Sequence, residues 1–115
     1  MKVWCYFENW SDYIAKKLDL TPSKGHRFMM QTSPCWIWSG TDVFITEKGI
    51  IGTETTIGGF MPYEKKFPVG YRIRQAMQYG NNLDDYERIL KQENSGDYAN
   101  SWLFGDINNN EITNK

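Results

Sequence analysis

The most regular alternation of apolar and polar positions falls between residues 42 and 57. Asp42-Val43-Phe44-Ile45-Thr46 is β-branched and aromatic, Glu47-Lys48-Gly49 is a reversal, and Ile50-Ile51-Gly52-Thr53-Glu54-Thr55-Thr56-Ile57 runs back. Such side chains suit a pleated, half-buried surface, and glycine in the reversal takes a positive φ without steric cost. The pattern predicts an antiparallel hairpin. Upstream, Arg27 to Thr32 reads as a short strand ending before Ser33-Pro34, and Thr21-Pro22-Ser23-Lys24-Gly25 as a turn. Ser11 to Leu20 admits two readings. Ser11 can cap a helix, yet Ile14, Leu18 and Leu20 with charged residues between them also suit an edge strand, the reading adopted here.

After Gly58-Gly59 the period changes. Met61-Pro62 to Phe67-Pro68 is a connecting loop, and Pro68 opens a helix with Val69, Ile73, Ala76 and Met77 on one face. Gly80 closes that helix at the C′ position. Asn82 caps a second helix in which Leu83, Tyr86, Ile89 and Leu90 share a face, with Asp84, Asp85 and Glu87 near its positive end. Alternation then returns, Ala99, Ser101 and Leu103 opposing Asn100, Trp102 and Phe104. A turn over Gly105 to Asn110 leads into a short returning strand at Glu111-Ile112-Thr113.

The order predicts an α+β fold: an antiparallel sheet with helices near 69–79 and 83–92 packed on one face. Strand-like residues already at position 3 and the brief last strand make 1–115 read as a single partial domain, cut at both ends. A sheet face without its covering layer should then expose an apolar patch, with tryptophans in it, and promote self-association.

Composition narrows the class. A net charge of -1, with 40% hydrophobic and 23% charged residues, excludes a disordered tail and a strongly basic nucleic-acid binder. Five Trp, seven Tyr and six Phe supply enough apolar surface for a core. No apolar run is long enough for a transmembrane segment, and Met1 to Glu8 lacks the h-region and cleavage site of a signal peptide. One histidine and two cysteines do not make a His/Cys metal cluster, and Gly58-Gly59 belongs to no phosphate-binding motif. No cofactor is expected.

Few side chains offer chemistry. Cys5 and Cys35 have no activating group beside them and read as buried small hydrophobes; His26 reads as an exposed turn residue. Arg72, Arg74, Lys65 and Lys66 read as a solvated face. The hairpin's second strand is more informative. Period two sends Glu54 and Thr56 to one face and Thr53 and Thr55 to the other. The carboxylate and hydroxyl beside Gly58-Gly59 either line a pocket, where hydroxyl and strand-end N–H groups stabilise an oxyanion, or form the polar outside of a hairpin.

Several blocks carry a family resemblance. Met30-Gln31-Thr32-Ser33-Pro34, Trp38-Ser39-Gly40-Thr41-Asp42-Val43-Phe44 and Gly49-Ile50-Ile51-Gly52-Thr53-Glu54-Thr55-Thr56 resemble the phospholipase B-like proteins. Tyr71-Arg72-Ile73-Arg74-Gln75-Ala76-Met77 and Asn94-Ser95-Gly96-Asp97-Tyr98-Ala99-Asn100-Ser101-Trp102 continue the resemblance in the same order. It implies an N-terminal-nucleophile hydrolase with an αββα sandwich, related to choloylglycine hydrolases and penicillin acylases. The implied reaction is hydrolysis of an acyl ester or linear amide, in an acyl lipid or amide substrate, by an N-terminal cysteine whose α-amino group is the base.

On that resemblance the chain is a central segment whose partner is the missing remainder of its own protein. Thr56 matches the family's active-site threonine and would support the oxyanion. Trp4 matches the aromatic of a His-Asn-x-aromatic motif in which Met1-Lys2 replace His-Asn. Neither cysteine matches the nucleophile, which is expected outside this chain. The resemblance implies a secreted or lysosomal protein. Two other classes stay open: a non-catalytic interaction module on the same scaffold, and a small thiol enzyme using Cys5 or Cys35.

Overall fold

A computed structural model describes residues 16–32, 36–39 and 42–115. Its elements are β1 (Lys16–Leu20), β2 (Phe28–Thr32), β3 (Val43–Thr46), β4 (Ile50–Thr56), α1 (Val69–Tyr79), α2 (Leu83–Lys91), β5 (Asn100–Asp106) and β6 (Glu111–Asn114). The strands form one six-stranded sheet in sequence order, β1-β2-β3-β4-β5-β6, with every pairing antiparallel. The α+β class and the hairpin stand as expected. So does the strand reading of Lys16 to Leu20, while positions 11–15 lie outside the described residues. Gly49 makes the hairpin reversal with φ of 76°.

The register explains the core. Met30 lies opposite Phe44, Phe44 opposite Gly52, and Gly52 opposite Phe104, so these positions share one face across four strands. Both helices cover that face. Tyr86 of α2 stacks on Phe44 at 6.1 Å and meets Phe104 edge-on at 5.2 Å, while Arg74 of α1 sits 4.7 Å above the Phe28 ring. Gly52 is the floor on which this aromatic layer rests. A Cβ there would lie 2.3 Å from the Phe44 ring and 3.1 Å from Phe104.

The helix pair is an excursion between two neighbouring strands, and its ends are tied together. Phe67 donates its N–H to Glu93 O at 2.9 Å, and Ser95 donates to Phe67 O at 3.3 Å. Pro68 stands at the start of α1 as the sequence suggested, but the side chain satisfying the free N–H of Val69 comes from far along the chain: Asp97 Oδ1 accepts it at 3.0 Å. Asn82 caps α2 by accepting from Asp85 N at 2.9 Å.

Several expectations need correction. Arg72 is not solvated: it is buried, and its guanidinium donates to Phe67 O, Leu90 O and Asn94 Oδ1, joining the loop before α1 to the end of α2. Arg74 is half-buried over Phe28 and donates to Ile37 O at 2.8 Å. Gly80 does close α1 as expected, donating its N–H to Ala76 O at 2.8 Å, but without a left-handed backbone. Its φ is -72°, and glycine is needed because a Cβ would lie 2.5 Å from the Tyr86 ring.

Another correction concerns the open face. It does carry exposed apolar side chains, Val43, Ile51, Leu103 and Ile112, with Met29 and Ile45 half-covered between them. Trp38 and Trp102 do not join them, because both are buried on the helix side, and Trp36 is half-buried. His26 also departs from a free turn residue: its ring bridges Asn81 and Glu47, at 3.1 and 3.4 Å.

Two outcomes follow from this packing. Gly52→Ala should lower the urea midpoint by the equivalent of about 1–3 kcal/mol, the usual cost of overpacking, because two buried rings must move. Gly58→Ala, where no atom lies within 4 Å, is the control and should change stability little. The isolated chain should bind a hydrophobic dye, and Ile51→Lys with Leu103→Lys should reduce that binding. Dye binding unaffected by both changes would place the patch elsewhere.

Candidate functional site

The end of β4 gathers the polar groups. Glu54 lies opposite Trp102 and Thr56 opposite Asn100, so both side chains emerge on the helix side, past the edge of the aromatic layer. Tyr98, just before β5, reaches them both. Its hydroxyl donates to Glu54 Oε1 at 3.1 Å and shares a short hydrogen bond with Thr56 Oγ1. The face assignment made from period two therefore holds, and Glu54 and Thr56 are joined through one phenol. Thr55 points to the opposite face, beside Ser101.

The phenol itself is held by aromatic packing. Trp38 meets the Tyr98 ring edge-on at 6.3 Å and lies 6.4 Å from Trp102, which stacks on Phe104 at 5.6 Å. The polar chain is thus the terminus of the same aromatic row that fills the core. Trp38 is brought there by its neighbours: Thr32 donates its hydroxyl to Trp38 O at 3.0 Å, and Ser39 donates to Gln31 O at 2.7 Å.

Burial shapes the electrostatics. Glu54's carboxyl is pushed above the ordinary range first by desolvation and then by the negative charge of Asp42. Oxygen Oε2 of Glu54 is buried with no hydrogen-bond partner, a poor setting for a full negative charge. Asp42 holds a left-handed backbone, φ 61°, immediately before β3. Burial also raises the Tyr98 phenol, with Glu54's charge adding to the effect.

Two hollows flank the sheet. One, of about 310 Å³, lies on the helix side between Ile57, Phe60, Leu90, Tyr98 and Trp102, with Arg72, Glu87, Lys91 and Lys115 also in its wall. Glu87 is held down to about 2 by hydrogen bonds from Lys115 and Lys91. The other is a groove of about 540 Å³ on the open face, lined by Met29, Val43, Ile45 and Ile51 among others. Tyr98 links the first hollow to Thr56; the second lies on the face that Thr56 does not reach.

Of the site residues read from sequence, Thr56 is placed in this cluster. Trp4, Cys5 and Cys35 lie outside the described residues. The strand-end N–H groups are only partly open to an oxyanion, since Ile57 N–H is committed to Ala99 O at 2.8 Å. Tyr98 and Asp42 were not singled out for chemistry. Period two does place Tyr98 on the face of Asn100 and Trp102, but its partner in β4 follows only from a register set across the helical excursion.

No protein-family model matches the chain. It is 31% identical to phospholipase B-like 2 of Homo sapiens over 114 residues, covering 91% of this chain and 18% of that protein. The Bos taurus phospholipase B-like 2 is also 31% identical, over 93 residues, or 75% of this chain and 16% of that protein. Over most of its length the chain is similar to these phospholipase B-like proteins. It spans less than a fifth of the length of these curated relatives. No helix among its described residues is long and apolar enough to cross a membrane.

The raised carboxyl gives a pH-dependent outcome. A folded-state value above the ordinary 4.5 means the native state keeps its proton where the unfolded chain has lost it. Glu54 therefore subtracts stability as pH rises from 4.5 through its folded value. Glu54→Gln should gain urea resistance relative to wild type between pH 4 and pH 7. An unchanged difference across that range would contradict the desolvated carboxyl.

Proposed function

We propose that this chain forms part of an acyl hydrolase that cleaves an acyl ester or linear amide through an N-terminal cysteine lying outside residues 1–115. The thiolate attacks the acyl carbonyl, the cysteine's α-amino group serves as the base, and water then releases the acyl group. An α-amino group titrates near ~7.7–8.0 and can do this without a histidine. In this reading Thr56 donates its hydroxyl to the tetrahedral oxyanion. The observation that carries it is the placement of Thr56: an exposed hydroxyl at the end of a central strand, held by Tyr98, in a segment similar to the phospholipase B-like proteins.

The open face supports a larger assembly of layers. Val43, Ile51, Leu103 and Ile112 are exposed on one side of a sheet whose other side carries the helices and the buried core. We place the second sheet of an αββα sandwich there, contributed by the remainder of the protein. Substrate would approach the strand ends, where the helix-side hollow meets Thr56.

Assays on the 115-residue chain and on a longer protein that carries the nucleophile test this reading. The short chain should show no turnover of acyl esters or amides. In the longer protein Thr56→Ala should lower kcat by about 10²–10³, the usual loss for one oxyanion donor. Thr55→Ala, on the opposite face, should stay near wild type. Turnover by the short chain that Cys5→Ala or Cys35→Ala abolishes would establish a thiol enzyme instead. A loss confined to Thr55→Ala would move the site to the open face.

A further inference from the structure

A hydroxyl supports an oxyanion only if its own proton points at it, and Thr56 shares its hydrogen bonding with a phenol and a carboxyl. The three oxygens form a line: Thr56 Oγ1 to Tyr98 OH, then Tyr98 OH to Glu54 Oε1 at 3.1 Å. Counting protons along that line gives two states. With Glu54 ionised there are two protons for two hydrogen bonds. Tyr98 donates to Glu54 and Thr56 donates to Tyr98, so Thr56 faces outward with lone pairs only. With Glu54 protonated there are three protons. Glu54 donates to Tyr98, Tyr98 donates to Thr56, and the Thr56 proton is left over, directed outward.

We propose that Glu54 is a positioning residue that, through Tyr98, sets whether Thr56 presents a proton or a lone pair to the reacting acyl group. The inference rests on the oxyanion role given to Thr56 above. Three features favour it. Oε1 of Glu54 faces the Tyr98 hydroxyl, whereas Oε2 is buried without a partner, so the line to Thr56 starts at Oε1. The Tyr98 ring packs edge-on against Trp38, which favours the placement of its hydroxyl between Thr56 and Glu54. Desolvation and the Asp42 charge both favour the neutral carboxyl.

The charged groups around the line are accounted for. Asp42 and Tyr98 face Glu54 directly. Beyond Tyr98, Arg72 is committed to the Phe67 and Leu90 carbonyls, and Glu87 to Lys91 and Lys115. None of these four carries a hydrogen bond to the Glu54 carboxyl.

The test is the pH profile of kcat in the longer protein that carries the nucleophile, for wild type, Thr56→Ala, Tyr98→Phe and Glu54→Gln. Wild type should lose activity on the alkaline side of the Glu54 titration. The loss should be at least about tenfold, the equivalent of one hydrogen bond given up. It should converge toward the Thr56→Ala level. Thr56→Ala should lack this limb. Tyr98→Phe frees the threonine proton at every pH, so it should also lack the limb yet remain sensitive to an added Thr56→Ala. Glu54→Gln, whose amide donates to Tyr98 without titrating, should behave likewise; where one of the two variants fails to fold, the other decides. If Thr56→Ala lowers kcat but the limb persists in Tyr98→Phe or Glu54→Gln, the inference is wrong and the oxyanion reading stands. If Thr56→Ala is silent at every pH, the oxyanion reading falls and takes the inference with it.

Discussion

The helix side of this molecule depends on one contact: Tyr86 seated on Phe44 and Phe104 above a strand position that has no side chain. Gly52 lets the two phenylalanines from the flanking strands converge, and Tyr86 closes the gap from above. Once that layer is set, the positions of the rest follow. Trp102 stacks on Phe104, Trp38 packs against Trp102, and Tyr98 packs against Trp38, so the core's aromatic order runs without interruption into the polar end of β4. The hydroxyl of Thr56 is placed by a row of rings, not by its own loop. Rigid side chains with few rotamers transmit position well, and a candidate site built at the end of such a row inherits that precision.

How far the sequence reveals this depends on the range of the interaction. The hairpin, the two helices and the strand at Asn100 are governed by local periodicity and turn chemistry, and they appear where residue spacing puts them. Arg72 is the opposite case. Its charge suggests solvent, whereas three acceptors supplied by a loop, a helix end and Asn94 make burial tolerable, and those come from distant positions. Gly80 ends α1 as its position suggests, but it also admits the Tyr86 ring, which spacing does not reveal. Trp38 and Trp102 look like candidates for an unfinished surface but occupy the finished one.

The candidate site divides along the same line. That Glu54 and Thr56 share a face is fixed by the geometry of any strand. That a tyrosine bridges them is not, because the pairing of Thr56 with Asn100 is decided by the helical excursion and the core beneath it. The same geometry separates two adjacent threonines that look interchangeable in the sequence, Thr55 against the open groove and Thr56 against the phenol. This gives each hydroxyl a different environment to answer to.

The tie between Phe67 and the residues at 93–95 has a consequence for how the chain reaches this structure. Pairing β4 with β5 is the longest-range step in forming the sheet, and closing a loop of that span carries an entropic penalty that grows with the logarithm of its length. When the helix pair folds first and Phe67 is joined to Glu93 and Ser95, the excursion is already a closed unit, and the span left to close is only the short stretch on either side. A slow, non-local strand pairing is thereby turned into two local ones, a helical hairpin followed by something close to a β-hairpin. Arg72, buried across that tie, is then as much a determinant of folding order as of the final packing.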